Sequence, residues 1–208
     1  MPTADPSPAD VPDAVARGVS RETLGRLRAY VALLDRWTRT INLISPADRA
    51  HIWTRHVQDS LHLVPLIPAA ADRGIDLGSG GGLPGLVLAV ATGLPFDLVE
   101  ADRRKAAFLQ EAARITAAPV RVHHARIEDA PVRPAPLVTA RALAPLPRLL
   151  AFAAPLLRPG GVCLFPKGEQ AEQEVEQAAG AWRMRVERFP APGRPGSATL
   201  RISELAHA

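Results

Sequence analysis

Apolar residues set the first rhythm of the chain. Leu24, Leu27, Val31, Leu34, Trp37 and Ile41 recur at three- and four-residue steps, which is one face of an amphipathic helix, with Ser20 as its N-cap. After "NLISPAD" a second helical pattern carries Ile52, His56, Val57, Ser60, Leu61 and Val64 on one side, and Pro65 and Pro68 end it. Residues 16–68 therefore read as an N-terminal helical cap. Residues 1–15, rich in proline, alanine and aspartate and without periodicity, read as a disordered tail.

From residue 69 to 208 the pattern alternates. Ile75–Leu77, "FDLVEA", "VRVHHA", "LVTARA" and "VCLFPKG" are strand-like runs. Between them lie helical patterns: Leu83–Ala91 with Pro84 in its first turn, "RRKAAFLQEAARITA", and "PLPRLLAFAAPLL", which stops at "RPGG". "EQAEQEVEQAA" adds a further helix, and "WRMRVERF" and "ATLRIS" alternate with period two and no helix between them. Repeated β–α units predict an α/β fold with a mainly parallel seven-stranded sheet, closed by an antiparallel edge.

Composition narrows the class. With 208 residues and 47% apolar content the chain can bury one sizeable core. It has no apolar run long enough for a membrane span and no secretory leader pattern, so a cytoplasmic protein with no membrane partner is expected. The single cysteine, Cys163, sits in the apolar "VCLF" and reads as a buried structural thiol. A net charge of +4 permits an anionic partner without requiring one. Only two of the 25 basic residues are lysine, Lys105 and Lys167, which hints that an ammonium is wanted at those places.

The candidate chemistry lies in "IDLGSGGGLPG", Ile75 to Gly85. In open α/β sheets, ligands bind beyond the carboxyl ends of the strands, and the first β–α turn is usually there. Gly80-x-Gly82-x-x-Gly85 matches a dinucleotide fingerprint, whereas Asp76-x-Gly78-x-Gly80-x-Gly82 resembles the first motif of Rossmann-like methyltransferases that bind S-adenosylmethionine. The strand ends near Leu77, so Gly78 is the glycine directly after it. A carboxylate at Asp76 suits a cofactor with a sulfonium and an ammonium better than a pyrophosphate. Glu100, 22 positions beyond Gly78, ends the next strand and is placed to accept ribose hydroxyls. Ile127 and Glu128 of "HARIEDA" suit packing on an adenine and bonding its amino group.

With these pieces placed, the chain resembles the RsmG family, also called GidB, from about Leu27 to Ile202. The resemblance rests on "WTRTINLIS" from Trp37, "RHVQDS" from Arg55, "DLGSGGGLPG", Glu100, "RIED", "ARALA" from Ala140, and "FPKG". Thr38, Ile44 and Ala140 depart from the usual asparagine, threonine and serine of the family. The resemblance implies a Rossmann-like class I methyltransferase domain over residues 69–208, with S-adenosylmethionine as cofactor. It also implies transfer of a methyl group to N7 of a guanine in the 530 loop of 16S ribosomal RNA, in a small-subunit particle. It maps cofactor contacts onto Gly78, Leu83, Ile127, Glu128 and Arg141, of which Leu83 and Arg141 are not suggested by the motif itself. Other readings of the same letters are methylation of another RNA or a small molecule, a non-enzymatic S-adenosylmethionine-binding or ribosome-associated protein, and an NAD-binding oxidoreductase.

Guanine N7 carries a free lone pair and no proton, so that reaction needs no general base, only alignment and shielding. No catalytic base and no metal site are therefore expected. His51, His56 and His62 are spaced wrongly for ligands on one helix face. His56 and Lys167 are candidates for positioning the substrate. Arg55, His56, Arg103, Arg104, Lys105 and Lys167 are the candidates for RNA contact, because phosphate contacts supply affinity.

Overall fold

The computed structural model describes residues 11–208. Helix α1, Asp13–Gly18, is followed by α2, Arg21–Thr38, which Ser20 caps by accepting from Thr23 N at 3.1 Å. Most of the expected tail, 1–15, lies outside the described residues. Its last three positions open α1, where Val15 is buried against the core, so the helical region starts earlier than the aperiodic composition suggests.

The second helical run is not a plain α-helix. Pro46–His51 is 3₁₀, Ile52–Gln58 is π-helical, and a single α turn, α3, covers Asp59–Leu61. Ile52, Trp53, His56 and Val57 are buried on one side of it. Over two turns such an apolar set suits an α and a π ladder equally, so periodicity cannot tell them apart.

Seven strands form one sheet: β1 Gly74–Leu77, β2 Phe96–Glu100, β3 Val120–His124, β4 Ala135–Ala140, β5 Leu157–Lys167, β6 Trp182–Pro190 and β7 Ala198–His207. Helices α4 (Gly85–Thr92), α5 (Arg103–Thr116), α6 (Leu146–Ala153) and α7 (Ala171–Ala179) connect them. The spatial order is β3-β2-β1-β4-β5-β7-β6, with β1 to β5 parallel and β7 antiparallel to both its neighbours. The final two strands pair as the alternation predicts. The antiparallel strand, however, is β7 inserted between β5 and β6, and the outermost strand is β6. The segment "RPGG", expected to follow a long helix, lies inside β5. Helix α6 has already ended at Ala153, and a 3₁₀ turn covers Ala154–Leu156. Gly161 permits this because a Cβ there would lie 3.0 Å from the Pro136 carbonyl oxygen.

Two cores flank the sheet. On one face α2, α4 and α5 bury Leu27, Leu34, Leu86, Leu88 and Phe108 together with Ile52 and Trp53 of the cap. On the other, α6 and α7 cover Ile75, Val138 and Phe165, with Trp182 joining from β6. Cys163 is fully buried in this second core, and burial pushes its thiol up to about 12, so it is inert as a nucleophile. The cap has no core of its own: its apolar stripe is one wall of the domain's core. No helix among the described residues is long and apolar enough to cross a membrane.

Candidate active site

Strand order reverses between β1 and β4, so the crevice lies at their carboxyl ends. There the glycine loop leaves β1. Gly78, Gly80 and Gly82 have φ of 62°, 51° and 84°, a region that L side chains seldom enter. A Cβ on Gly78 would stand 2.6 Å from Leu143 Cδ1, across the loop after β4. Gly85 serves packing: a Cβ there would meet Asp76 Cβ at 2.5 Å and Leu98 Cδ2 at 2.8 Å, so its bareness lets α4 lie on the sheet.

Two hydrogen bonds set the loop's shape from outside. Glu100, at the end of β2, accepts from Gly80 N through Oε2 and from Asp102 N through Oε1, each at 2.8 Å. Tyr30 of α2 is fully buried and donates its hydroxyl to the Gly81 carbonyl at 2.6 Å. Tyr30→Phe leaves that carbonyl unpaired in a closed environment. We expect it to cost about 1–3 kcal/mol, read as a lower midpoint in urea unfolding, without removing any side chain from the cavity.

A cavity of about 350 Å³ opens beside the loop. Gly78, Gly80, Glu100, Ile127 and Glu128 line it, as do Lys105, Arg126, Leu143, Arg148 and Phe152. Five of the nine expected cofactor residues are thus brought together, from the ends of β1, β2 and β3. The other four are not in its lining. Asp76 is wholly buried beneath α4, where Oδ1 accepts from Thr139 Oγ1 at 2.6 Å and Oδ2 has no hydrogen bond. Its side chain leaves β1 toward the helix, not toward the open crevice. Asp76 thus does not present its carboxylate to a cofactor's cation in the crevice, contrary to what its place in the loop motif suggests. Gly82 faces Leu86 and Leu109, and Leu83 packs into the first core. Arg141 lines a larger cavity of about 670 Å³, on the far side of Ala142, Leu143 and Ala144, which wall both spaces.

The residues expected to touch RNA divide similarly. Arg103 and Arg104 are exposed at the start of α5, and the Asp102 carboxylate caps that helix by accepting from Arg104 N and Lys105 N. This cap explains how a basic run is tolerated where the helix dipole opposes it. Lys105 lines the smaller cavity instead. Arg55 is half-exposed and paired with Asp48 at 2.7 Å. His56 and Lys167 do not stand free for RNA. His56 is 5% exposed, with neither ring nitrogen hydrogen-bonded and Nε2 3.9 Å from Asp48 Oδ2. Lys167 donates to the Ala144 carbonyl at 2.8 Å and to Glu174 Oε2 at 2.7 Å, while Leu146 N donates to that same oxygen at 2.6 Å. The lysine therefore fastens the wall between the two cavities. Arg194, which sequence reasoning missed, lines the larger cavity, pairs with Asp59 and donates to the Arg55 carbonyl. Its only signal was a basic residue in the turn between the two alternating C-terminal runs.

Buried charge gives the site an unusual response to acid. Burial, reinforced by Arg141, pulls His56 down to about 4, while burial pushes Asp76 up to about 6. Below the ordinary histidine value of 6.5 the unfolded chain takes up a proton that folded His56 refuses, so this group withdraws stability as pH falls from 6.5 toward 4. Asp76 holds its proton up to about 6 when folded but only to 3.8 when unfolded, so it adds stability as pH falls through that window. The two slopes oppose each other. Urea unfolding between about pH 4.5 and 7 should show His56→Gln gaining stability relative to the parent on acidification, and Asp76→Asn losing it. Parallel profiles for all three proteins would refute both assignments.

The glycine loop, the acid at the end of β2 and the β3-end pair meet on one cavity. A family model described as rRNA small subunit methyltransferase G matches residues 23–191. The chain belongs to the GidB family. Ribosomal RNA small subunit methyltransferase G of Acidiphilium cryptum is 58% identical to this GidB member over 198 residues, covering 91% of this chain and 89% of that protein. The protein of the same name from Granulibacter bethesdensis is 56% identical over 189 residues, again covering 91% and 89%. Among solved structures, the O-methyltransferase TomG from Streptomyces achromogenes, in complex with SAM, matches with a TM-score of 0.56 at 17% identity, over 88% of this chain and 90% of that one. The N-methyltransferase NodS from Bradyrhizobium japonicum, in complex with S-adenosyl-L-homocysteine, matches with a TM-score of 0.56 at 15% identity, over 86% and 97%. These likenesses place the GidB chain in the Rossmann-like class I methyltransferase fold, as its sequence implies.

Proposed function

We propose that the chain transfers a methyl group from S-adenosylmethionine to N7 of a guanine in the 530 loop of 16S ribosomal RNA, in the cytoplasm and within a small-subunit particle. The observation that carries the cofactor is the cavity on which Gly78, Gly80, Glu100, Ile127 and Glu128 converge. Membership of the GidB family supports the substrate.

The residues present fit the cofactor. Glycines at 78 and 80 leave backbone bare where a nucleoside must approach, and each Glu100 oxygen keeps a lone pair for a ribose hydroxyl beyond the one backbone N–H it accepts. Ile127 offers an apolar face to an adenine and Glu128 an acceptor for its amino group. When bound, S-adenosylmethionine supplies an electrophilic methyl carbon. The chain's own part is alignment: Ala142, Leu143 and Ala144 line both the cofactor cavity and the larger one, so the two adjoin along this segment, where a base would enter. Arg141 lies on the substrate side of that segment, with its Nη1 buried and unpaired, and it tethers β4 to the cap by donating to the Arg55 carbonyl at 2.9 Å. No side chain is required to remove a proton, because N7 has none to lose. His56 and Lys167 act as positioning residues, the first at the junction of cap (16–68) and domain (69–208), the second by holding the wall. Arg103 and Arg104, exposed at the start of α5, and Arg55, half-exposed beside its Asp48 partner, are the cations offered to RNA phosphates, so activity should fall with rising salt.

Mass mapping of small-subunit rRNA from cells with and without the protein tests the proposal. Loss of one N7-methylguanine on deletion is expected, and an unchanged modification pattern sinks it.

A further inference from the structure

Phe189 is exposed at 36%, alone among the large hydrophobic side chains of the described residues. It lies near the end of β6. Along that strand Trp182, Met184 and Val186 pack into the second core, while Arg185, Glu187 and Phe189 occupy the alternate positions. A core residue would belong to the first set. Phe189 sits instead in the charged set, and it lines the 670 Å³ cavity. Arg141, Lys167 and Arg194 line the same cavity; Glu174 and Asp59 of its lining pair with the last two, which leaves Arg141 as its cation without a carboxylate partner among the described residues, and Ala142, Leu143 and Ala144 line both this cavity and the cofactor cavity. Other aromatic rings are engaged elsewhere: Trp182 stacks on His207, Trp37 meets Phe108 edge-on, and Phe152 lies under Arg148.

We propose that Phe189 is the platform on which the methyl-accepting guanine stacks once it is turned out from its neighbours. The inference rests on the function proposed above. A guanine stacked among its neighbours in folded RNA cannot bring N7 in line with a methyl group held in a protein cavity, so an enzyme that reacts there needs the base splayed out. A turned-out base has lost its stacking, and a flat, exposed apolar ring lining a cavity of nucleotide size that also holds the Arg141 guanidinium replaces it. Phe189 is then a substrate-binding residue that reads the π-face of the base, leaving its N7 edge free to face the cofactor cavity where Ala142, Leu143 and Ala144 line both spaces.

The test uses small-subunit particles from cells lacking the protein, with KM and kcat measured for the full chain and for Phe189→Ala, Phe189→Leu and Phe189→Trp. Because the position is exposed, all three variants should fold. The alanine and leucine variants are expected to raise KM for the particle about tenfold, while tryptophan stays within about threefold of the parent. Calorimetric affinity for S-adenosylmethionine should be the same in all four. Full activity in the leucine variant would mean that apolar volume suffices, and full activity in the alanine variant would mean the ring is idle; either overturns the inference. Mass analysis of the same particles separates this from the underlying reading. If the parent protein yields no N7-methylguanine, the reaction itself is wrong and the platform falls with it. If the parent methylates and the alanine variant matches it, only the platform fails.

Discussion

Gly78→Val is expected to abolish binding of S-adenosylmethionine while leaving the fold in place. The backbone at this position has φ of 62°, where a β-branched residue is strongly disfavoured. The new side chain would also run into Leu143, whose Cδ1 stands 2.6 Å from a Cβ built there. Leu143 is free to swing aside, but it lines the cofactor cavity, so any escape that stays on that side fills the space the ligand needs. Stability should drop by about 1–2 kcal/mol, the usual cost of a left-handed non-glycine residue. Thermal unfolding should remain cooperative, and titration calorimetry should give no heat with S-adenosylmethionine. Affinity within about tenfold of the parent would refute the loop's assignment.

Glu100→Ala is expected to have the second-largest effect. The carboxylate holds the loop through Gly80 N and the following turn through Asp102 N, and its remaining lone pairs are the acceptors assigned to the ribose. Hydrogen bonds to a charged group contribute about 1.5–3 kcal/mol each, so losing a pair to the ligand corresponds to at least about 100-fold in affinity. Glu100→Gln keeps one acceptor oxygen and should lose less. Calorimetry on both variants decides the matter: an alanine variant within about threefold of the parent would reduce Glu100 to a loop brace.

How much of this could be read from the letters depends on whether the cause was local. The convergence of Gly78, Gly80, Glu100 and the Ile127–Glu128 pair on one cavity is legible because strand ends and turns are set by neighbours in sequence, whereas Gly82 turns toward Leu86 and Leu109. Legible too is the core face of α2, whose stripe repeats every three or four residues. The direction of the Asp76 side chain is not legible, since a strand side chain's face is fixed by which helix lies above it, and here it is buried outside the cavity lining. Lys167 shows the same limit more sharply. A rare lysine at a strand end looked available to RNA, but Glu174, on the next helix, and the Ala144 carbonyl take its donors. Arg194 and Phe189 were missed because neither belongs to a motif. They matter only through where β6 and β7 end, which is a property of the assembled sheet.

The shared core of cap and domain carries a consequence for how the chain is made. Arg26 donates to the carbonyls of Thr116 and Ala117, about 90 residues later, and Tyr30 reaches Gly81 across 51 positions. The cap therefore leaves the ribosome before any strand it packs against has been synthesised. During that interval the stripe from Leu24 to Ile41 has no partner, and the chain waits with that apolar face uncovered. Contacts this distant in sequence are made late and slowly. The cap is synthesised before the segments it packs against and is among the last parts to be secured, and an enzyme whose glycine loop hangs from Tyr30 is not complete until it is.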